Sequence, residues 1–546
     1  MSDTADTGQT AIAEAPSGAG PTPPAAVGTA TPNRPTGPLG GWGSDLIAFV
    51  ALLVMAGAGT SLYFRAMPQL TLGLVGGLVT GLGCTRWWRA VLVAAIAVPC
   101  GFFLASQFTL VRWHAGFFWL PQGLQAAATA AGIGAVVCFA IGQSPRLKTL
   151  LAALAVLALV ATMWFSALNL ATARDNKGIL TLEQLNQTPK LAADSSDEDI
   201  YRAYVFRLRA GQPYYPMAVG VLTEMNQLRS SPVATHSALS YRLPTLYRFL
   251  AALPPSSGVL VNAILIACSL GVMSAYVLAR QFVRQVPALL AASLVASVFA
   301  GYSGPMLLDT ESWAGILALL AVTLVVVAYR RQRHTLALHT LAAVAAFAAA
   351  SMRELAVAFL VLGLAAALSD RTGPRRRAWI PWAAACVATL GVYVAHAVSA
   401  QRAYMGVANP ETHGFPWLHL DGSGLVAAVA LLGSHAWLIM GVVWVLVLLG
   451  MAGSVLAPRD LPTRVMLSGA ALVGPLVLLA LHPPGSATYG VPGYWGDLVM
   501  PTTLACVPLA FVWLRDVGRN TDPALATQQA GSPHARPSSP EAEERP

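Results

Sequence analysis

Residues 195–215, SSDEDIYRAYVFRLRAGQPYY, lie at the centre of the only long polar interruption in an otherwise apolar chain. This interruption, residues 171–257, separates two sets of long apolar runs, and most other loops are short. Binding and catalytic residues concentrate on loops that a rigid scaffold positions. We therefore expect the chemistry of this chain to lie in the long polar segment.

The composition predicts an all-α, polytopic membrane protein. Of the 546 residues, 56% are hydrophobic and only 10% are charged, and a soluble domain cannot bury that much apolar surface. The formal charge of +9 comes from basic residues scattered at helix ends. Because they form no basic patch with interleaved aromatic residues, the pattern argues against nucleic acid as a partner.

About 14 apolar runs are long enough to cross a bilayer at ~20 residues per crossing. We expect disorder in residues 1–44 and 515–546, which are polar and rich in alanine and proline, and no removable signal peptide. The predicted spans lie near residues 45–64, 67–84, 90–108, 120–142, 149–170, 258–279, 286–304, 312–329, 335–351, 354–369, 379–398, 425–452, 465–482 and 498–514.

The basic residues predict the orientation of these spans. Short loops on one side hold 15 arginines and lysines, and those on the other side hold 4. Since basic residues accumulate in cytoplasmic loops, both termini should be cytoplasmic and residues 171–257 should face outward. Abundant alanine and glycine, with arginine over lysine, suggest the plasma membrane of a bacterium. The four outward residues are Arg65, Arg112, Arg353 and Arg402.

The outward segment contains a predicted amphipathic helix. Ser195 or Ser196 is a suitable N-cap, the acidic residues 197–199 fill the first turn, and Gly211 suits the C-terminal stop. One face is apolar and the other basic, so we expect the helix to lie in the outer membrane interface. A second helix is expected over residues 241–250, with Pro244 at its first position. The apolar face comprises Ile200, Tyr201, Tyr204, Val205 and Leu208.

Short motifs in this region resemble the GT-C superfamily of membrane glycosyltransferases, which includes actinobacterial mannosyl- and arabinosyltransferases. They are Asp199-Ile200-Tyr201, residues 211–215 (GQPYY) and Arg242-Leu243-Pro244. Downstream, residues 307–311 (LLDTE) resemble the second acidic loop of that superfamily, and residues 350–354 (ASMRE) its outward Arg-Glu turn. The resemblance covers roughly residues 150–370. Residues 149–514 would form the core, and residues 45–148 an N-terminal transmembrane extension that the family pattern lacks.

The resemblance implies inverting sugar transfer on the outer face, from a polyprenyl-phosphate-linked donor to a glycan, glycolipid or protein, as in cell wall biogenesis. It implies Asp199 as general base, with Asp197 or Glu198 as substitutes, and Arg353 as the cation that stabilises the departing phosphate. Asp309 and Glu311 would orient the acceptor, or join Asp199 in holding a divalent cation as cofactor. The remaining candidates for substrate binding are Arg242, Arg402, Glu354, Tyr201 and Tyr214.

Structural roles are the alternative for each of these residues. The carboxylates at 197–199, 309 and 311 suit helix starts, and Arg353 suits a helix-end arginine paired with Glu354. His413, His435 and His482 and the six cysteines show no metal-ligand spacing, and the cysteines no disulfide framework.

Two other functions remain as hypotheses: a transporter or lipid flippase, and a non-catalytic membrane scaffold. The chain shows no convincing internal repeat, and ionisable residues are almost absent from the span interiors. Both observations count against ion-coupled transport.

Overall fold

The described part of the protein is all-α. The computed structural model describes residues 42–61, 68–84, 86–108, 119–141, 144–172, 191–192, 197–228, 232, 234–254, 257–300, 308–331, 335–370, 377–410, 437–480, 493–510 and 512. Its α-helices are α1 Trp42–Ser61, α2 Pro68–Gly83, α3 Trp87–Phe108, α4 Trp119–Ile141, α5 Pro145–Thr172, α6 Asp197–Arg209, α7 Tyr214–Leu228, α8 Thr245–Ala252, α9 Ser257–Arg280, α10 Gln285–Ala300, α11 Thr310–Arg331, α12 Thr335–Met352, α13 Val357–Ser369, α14 Trp379–Tyr404, α15 Trp437–Leu456, α16 Leu461–Ala480 and α17 Gly493–Ala505.

Each of the predicted apolar runs contains one of these helices. The run predicted at 425–452 is helical from Trp437, and residues 425–436 lie outside the described residues. The two segments predicted to be disordered also lie almost wholly outside them. Helix α1 begins at Trp42, so residues 42–44 are helical and not part of the disordered segment, because Asp45 in the first turn favours a helix start there.

Four helices within the described residues are long and apolar enough to cross a membrane, by length and composition. They are Asn262–Arg280 within α9, and the whole of α11, α12 and α14. Further apolar helical segments of 10–17 residues occur in α2, α3, α4, α10, α13, α15 and α17. The structure therefore supports helices suited to a membrane, while the number that cross it stays a prediction.

Helix α11 forms the centre of the core. It packs against α9, α12, α13, α16 and α17, and 78% of its apolar window is buried inside the protein. Its neighbour α12 presents a row of fully buried alanines, which includes Ala342, Ala346, Ala349 and Ala350. Small side chains let two helix backbones approach closely. The start of α11 and the end of α12 are thereby held side by side.

Helices α1 to α4 pack together and contact the rest of the protein through α5 and α10. Helix α1 packs on α10, and α2 packs on both α5 and α10. Within the group, Arg89 at the start of α3 pairs with Asp45 of α1 at 3.1 Å. This pair anchors the ends of the two helices to each other.

Helix α6 begins and ends where the sequence predicts. Gly211 adopts a φ of +83°, a left-handed conformation that favours glycine. The amide of Gly211 donates to the carbonyl of Leu208, and the amide of Gln212 to that of Arg207, which together form a Schellman motif. Helix α8 begins at Thr245, so Pro244 is its N-cap and not its first helical residue.

The apolar face of α6 packs against protein, so our expectation that it lies on the lipid surface is wrong. Its side chains Ile200, Tyr201, Tyr204 and Val205 are buried, and α6 contacts both α7 and α8. The physical reason is that α7 and α8 offer this face a matching set of buried tyrosines. An amphipathic pattern alone does not distinguish a lipid surface from a protein surface.

The rest of the long polar segment, residues 171–257, is fastened to the end of α14 where the structure describes it. The ring of His396 lies between the hydroxyl of Tyr215 and the carbonyl of Ala238, each 3.1 Å from one ring nitrogen. The hydroxyl of Thr235 donates to the carbonyl of Ala408 at 2.9 Å. These contacts hold α7 and residues 234–241 against one helix of the core.

We expect Gly363→Ala to destabilise the protein by about 1–3 kcal/mol, because a Cβ there would overlap the ring of Trp382. Trp382 is fully buried and donates a hydrogen bond to His339, so it cannot move aside cheaply. Gly391→Ala in α14 is the matched control, since nothing lies within 4 Å of its added Cβ. Thermal unfolding in detergent measures both. Equal midpoints for the two variants would contradict this packing.

Candidate functional site

The candidate site is built on four tyrosines at the junction of α6, α7 and α8. The ring centroid of Tyr247 lies 5.4 Å from those of Tyr201 and Tyr204, and 6.3 Å from that of Tyr214, with which it stacks. Tyr204 and Tyr214 meet edge to face at 5.8 Å. Such pairs add to the stability that burial alone provides. The cluster gives these three helices a rigid common base.

Arg242 lies just before α8 and is held by two of these tyrosines. Its Nε donates to the hydroxyl of Tyr201 at 2.9 Å, and its carbonyl accepts a hydrogen bond from the hydroxyl of Tyr214. Although burial acts against its charge, Tyr201 and Glu311 raise the pKa of Arg242 well above its usual value. Its guanidinium group therefore stays charged and points toward the start of α11.

Glu311, in the first turn of α11, lies between two arginines. Its side chain is only 1% exposed, and Oε1 lies 2.9 Å from Nε of Arg353 and 3.9 Å from Nη2 of Arg242. Its other oxygen, Oε2, accepts a hydrogen bond from the hydroxyl of Thr310 at 2.7 Å. Taking charges out of water is costly unless opposite charges meet them. The three side chains therefore form one electrostatic unit, which we call the Arg242–Glu311–Arg353 cluster.

Arg353 follows the last residue of α12, in the turn before a short 3₁₀ helix, Glu354–Ala356. The expected Arg353–Glu354 pair exists, with Nη1 at 3.5 Å from Oε2 of Glu354. The contact with Glu311 is shorter, and Glu311 is far more buried than Glu354. Glu311 is consequently the main partner of Arg353, and Glu354 a partly exposed second partner.

Asp309 is the N-cap of α11. Its Oδ2 accepts hydrogen bonds from the amide of Ser312, at 2.9 Å, and from the hydroxyl of Ser312. This is the standard arrangement in which an N-cap carboxylate satisfies the amide at the third helical position. This geometry supports the structural role for Asp309, in which its carboxylate caps the start of a helix.

The acidic triplet lies at the start of α6, in the same helix as Tyr201. Asp199 is one-third exposed and pairs with Arg202 at 3.6 Å. Asp199 and Tyr201 are separated by about 200° around the helix, because each residue turns it by about 100°. Asp199 therefore faces away from the side of α6 that carries Tyr201. The side chains of Asp197 and Glu198 lie outside the described residues.

The cluster does not fit a divalent cation. Glu311 faces two guanidinium groups, which would repel a metal ion, and Asp309 already accepts hydrogen bonds from Ser312. Within the described ranges, no three His, Cys, Asp or Glu side chains are placed to share a metal ion. The arrangement suits an anion instead, since arginines bind phosphate oxygens with charge-assisted hydrogen bonds.

Six of the site residues predicted from the sequence lie in contact with one another: Tyr201, Arg242, Asp309, Glu311, Arg353 and Glu354. A seventh, Tyr214, contacts this set through its hydrogen bond to the carbonyl of Arg242. Arg402 is exposed near the end of α14, and none of the contacts described above involves it.

Our reasoning from the sequence missed Tyr247, which is fully buried at the centre of the tyrosine cluster. Burial raises the pKa of its hydroxyl group well above the usual value, so this group stays protonated. The hydroxyl forms no hydrogen bond with any residue that the structure describes. The sequence pattern that could have identified Tyr247 is its position on the apolar face of a short helix. A tyrosine buried there usually needs a hydrogen-bond partner for its hydroxyl, so it indicates a polar site nearby.

No protein-family model, no curated protein and no solved structure matches this chain. The geometry of its own residues therefore carries the functional argument.

We expect Arg353→Met to destabilise the protein by about 3–5 kcal/mol, because it leaves the buried Glu311 with only the distant Arg242. Arg207→Met is the matched control. It breaks a 2.6 Å pair with Glu224 that is largely open to water, so we expect a loss of about 0–1 kcal/mol.

Combining Arg353→Met with Glu311→Gln should cost less than the sum of the two single changes, since the double variant buries no unpaired carboxylate. Thermal or denaturant unfolding of the four proteins of this cycle measures the coupling. Strict additivity would show that the two side chains do not interact.

Proposed function

We propose that this protein is an outward-facing membrane glycosyltransferase that moves a sugar from a polyprenyl-phosphate-linked donor to an acceptor hydroxyl. It would be a polytopic protein of the bacterial plasma membrane, with about 14 spans and both termini in the cytoplasm. The observation that carries the proposal is the convergence of Arg242 and Arg353 on one buried point. Helix α6, which bears the acidic triplet, packs onto the same site.

The two arginines suit the leaving group of this reaction. A lipid phosphodiester carries one negative charge and acquires a second when its bond to the sugar breaks. Guanidinium groups that are already oriented stabilise this developing charge without reorganising. Arg242 is oriented by the hydroxyl of Tyr201, and Arg353 by the turn between α12 and the 3₁₀ helix. Both are therefore fixed before the donor arrives.

The acidic triplet supplies the base. In the proposed step, Asp199 takes the proton of the acceptor hydroxyl as its oxygen attacks the anomeric carbon. The bond between this carbon and the phosphate oxygen breaks, and the electron pair leaves with the polyprenyl phosphate. Attack from the side opposite the phosphate inverts the anomeric configuration. Asp199 is partly exposed and faces away from Tyr201, so in this proposal the acceptor arrives from water at the start of α6, and the sugar extends from the arginine pair past Tyr201 to meet it.

A transporter or lipid flippase is the second candidate. The observation that favours it is Glu311 itself, a buried carboxylate in a helix suited to cross a membrane. Ionisable residues of this kind often mark substrate or ion pathways. Covalent transfer separates the two candidates, because a transporter moves labelled donor into proteoliposomes without consuming it.

We expect Asp199→Asn to lower sugar transfer by roughly 10²- to 10⁴-fold, because an amide cannot accept the proton of the acceptor. The assay uses membranes supplied with polyprenyl-phosphate sugars. Asp197→Asn and Glu198→Gln test the substitute bases, and Glu224→Gln is the control, since Glu224 lies in α7 and pairs with Arg207. Full transfer by all three triplet variants would eliminate this mechanism.

We expect a cysteine at position 212, in the exposed turn after α6, to react with a membrane-impermeant maleimide in intact cells. A cysteine at position 459, exposed between α15 and α16, should react only after the membrane is opened. Both Gln212→Cys and Arg459→Cys are made in a background that lacks the native cysteines. The reverse labelling pattern would contradict the proposed orientation.

A further inference from the structure

Glu311 occupies the space between the guanidinium groups of Arg242 and Arg353. The two arginines belong to different elements, one before α8 and the other after α12. Without an anion between them, two like charges would face each other in a partly buried place, where repulsion is stronger than in water. In the structure, the carboxylate of Glu311 is therefore the anion that lies between this pair.

The carboxylate contacts its two arginines unequally. Its Oε1 is within ion-pair distance of both arginines, yet it forms no hydrogen bond with any residue in the described part of the chain. The contact with Arg242, at 3.9 Å, is longer than a hydrogen bond. The side chain of Glu311 also interacts with the neighbouring carboxyl group of Asp309. The long contact with Arg242 is therefore the place where another anion would compete with Glu311 most readily.

The hydroxyl of Tyr247 is a second feature of the same place. The side chain is fully buried and acts electrostatically on both Arg242 and Glu311. Its hydroxyl has no hydrogen-bond partner among the described residues, although a buried donor without a partner is costly. A phosphate oxygen that came within hydrogen-bond distance of this hydroxyl would give it the acceptor that Glu311 does not provide.

We infer that Glu311 is a built-in competitor for the anion site, which a lipid-linked phosphate must displace from Arg242 and Arg353. This inference rests on the proposed function of the arginine pair, and it adds that the site distinguishes lipid-linked phosphate from free phosphate. Displacement costs free energy, which a small anion such as inorganic phosphate does not recover. A ligand with a polyprenyl chain recovers it by burying that chain. The site thus rejects free phosphate and accepts lipid-linked phosphate.

The test uses the full chain in lipid nanodiscs and two probes. The first is farnesyl methyl phosphate, a phosphodiester with a single negative charge that does not titrate near neutral pH. The second is inorganic phosphate. We expect Glu311→Gln to bind the phosphodiester about tenfold or more tightly than the wild type, because removing the competing charge frees both arginines. The same variant should gain measurable binding of inorganic phosphate.

Two further variants calibrate the result. Glu311→Asp shortens the side chain and withdraws the carboxylate from Arg353, so its affinity should fall between those of the wild type and Glu311→Gln. Glu224→Gln removes a carboxylate that pairs with Arg207 in α7, and we expect it to bind both probes as the wild type does. If Glu311→Gln folds poorly, the Glu311→Asp variant carries the test, and its affinity must still exceed that of the wild type.

Unchanged or weaker phosphodiester binding by both Glu311 variants would overturn the inference, because Glu311 would then orient the arginines or play no part. Arg242→Ala and Arg353→Ala, each made in the Glu311→Gln background so that no buried carboxylate loses its partner, separate this outcome from failure of the proposed function. If they weaken phosphodiester binding while the Glu311 variants show no gain, the arginine pair binds phosphate but Glu311 does not compete for it. If they bind as Glu311→Gln alone does, the arginine pair is no phosphate site and the proposed function loses its support.

Discussion

The buried contact of Glu311 with Arg353 and Arg242 is the interaction on which the arrangement of this protein depends. Glu311 starts the central helix α11, Arg353 ends α12, and Arg242 belongs to the outward segment just before α8. One carboxylate therefore connects the core to the segment that lies over it. Buried charges are costly when they lose a partner, so each of the three restrains the positions of the other two.

This restraint gives the outward segment a defined position over the core. The tyrosines of α6, α7 and α8 pack on each other, and Tyr201 then orients Arg242 through a hydrogen bond. At its other end, the segment is fastened to α14 through His396 and Thr235. The acidic triplet at the start of α6 is thus carried on a rigid support, as the proposed catalytic base requires.

Local features of the fold could be predicted from the sequence, whereas contacts between distant residues could not. The stop of α6 at Gly211 follows from local backbone chemistry, and the helices follow from long apolar runs. The pairing of Glu311 with Arg353 and Arg242 joins residues about 40 to 70 positions apart, which no local pattern encodes. The apolar face of α6 was assigned to lipid because such a face suits a membrane and a protein partner equally well.

The most direct test of the central claim is an experimental structure of the full chain with a non-transferable polyprenyl-phosphate sugar bound. We expect the phosphate between the guanidinium groups of Arg242 and Arg353, with the carboxylate of Glu311 displaced and the sugar directed toward the start of α6. A phosphate bound elsewhere, with the Arg242–Glu311–Arg353 cluster intact, would contradict the account.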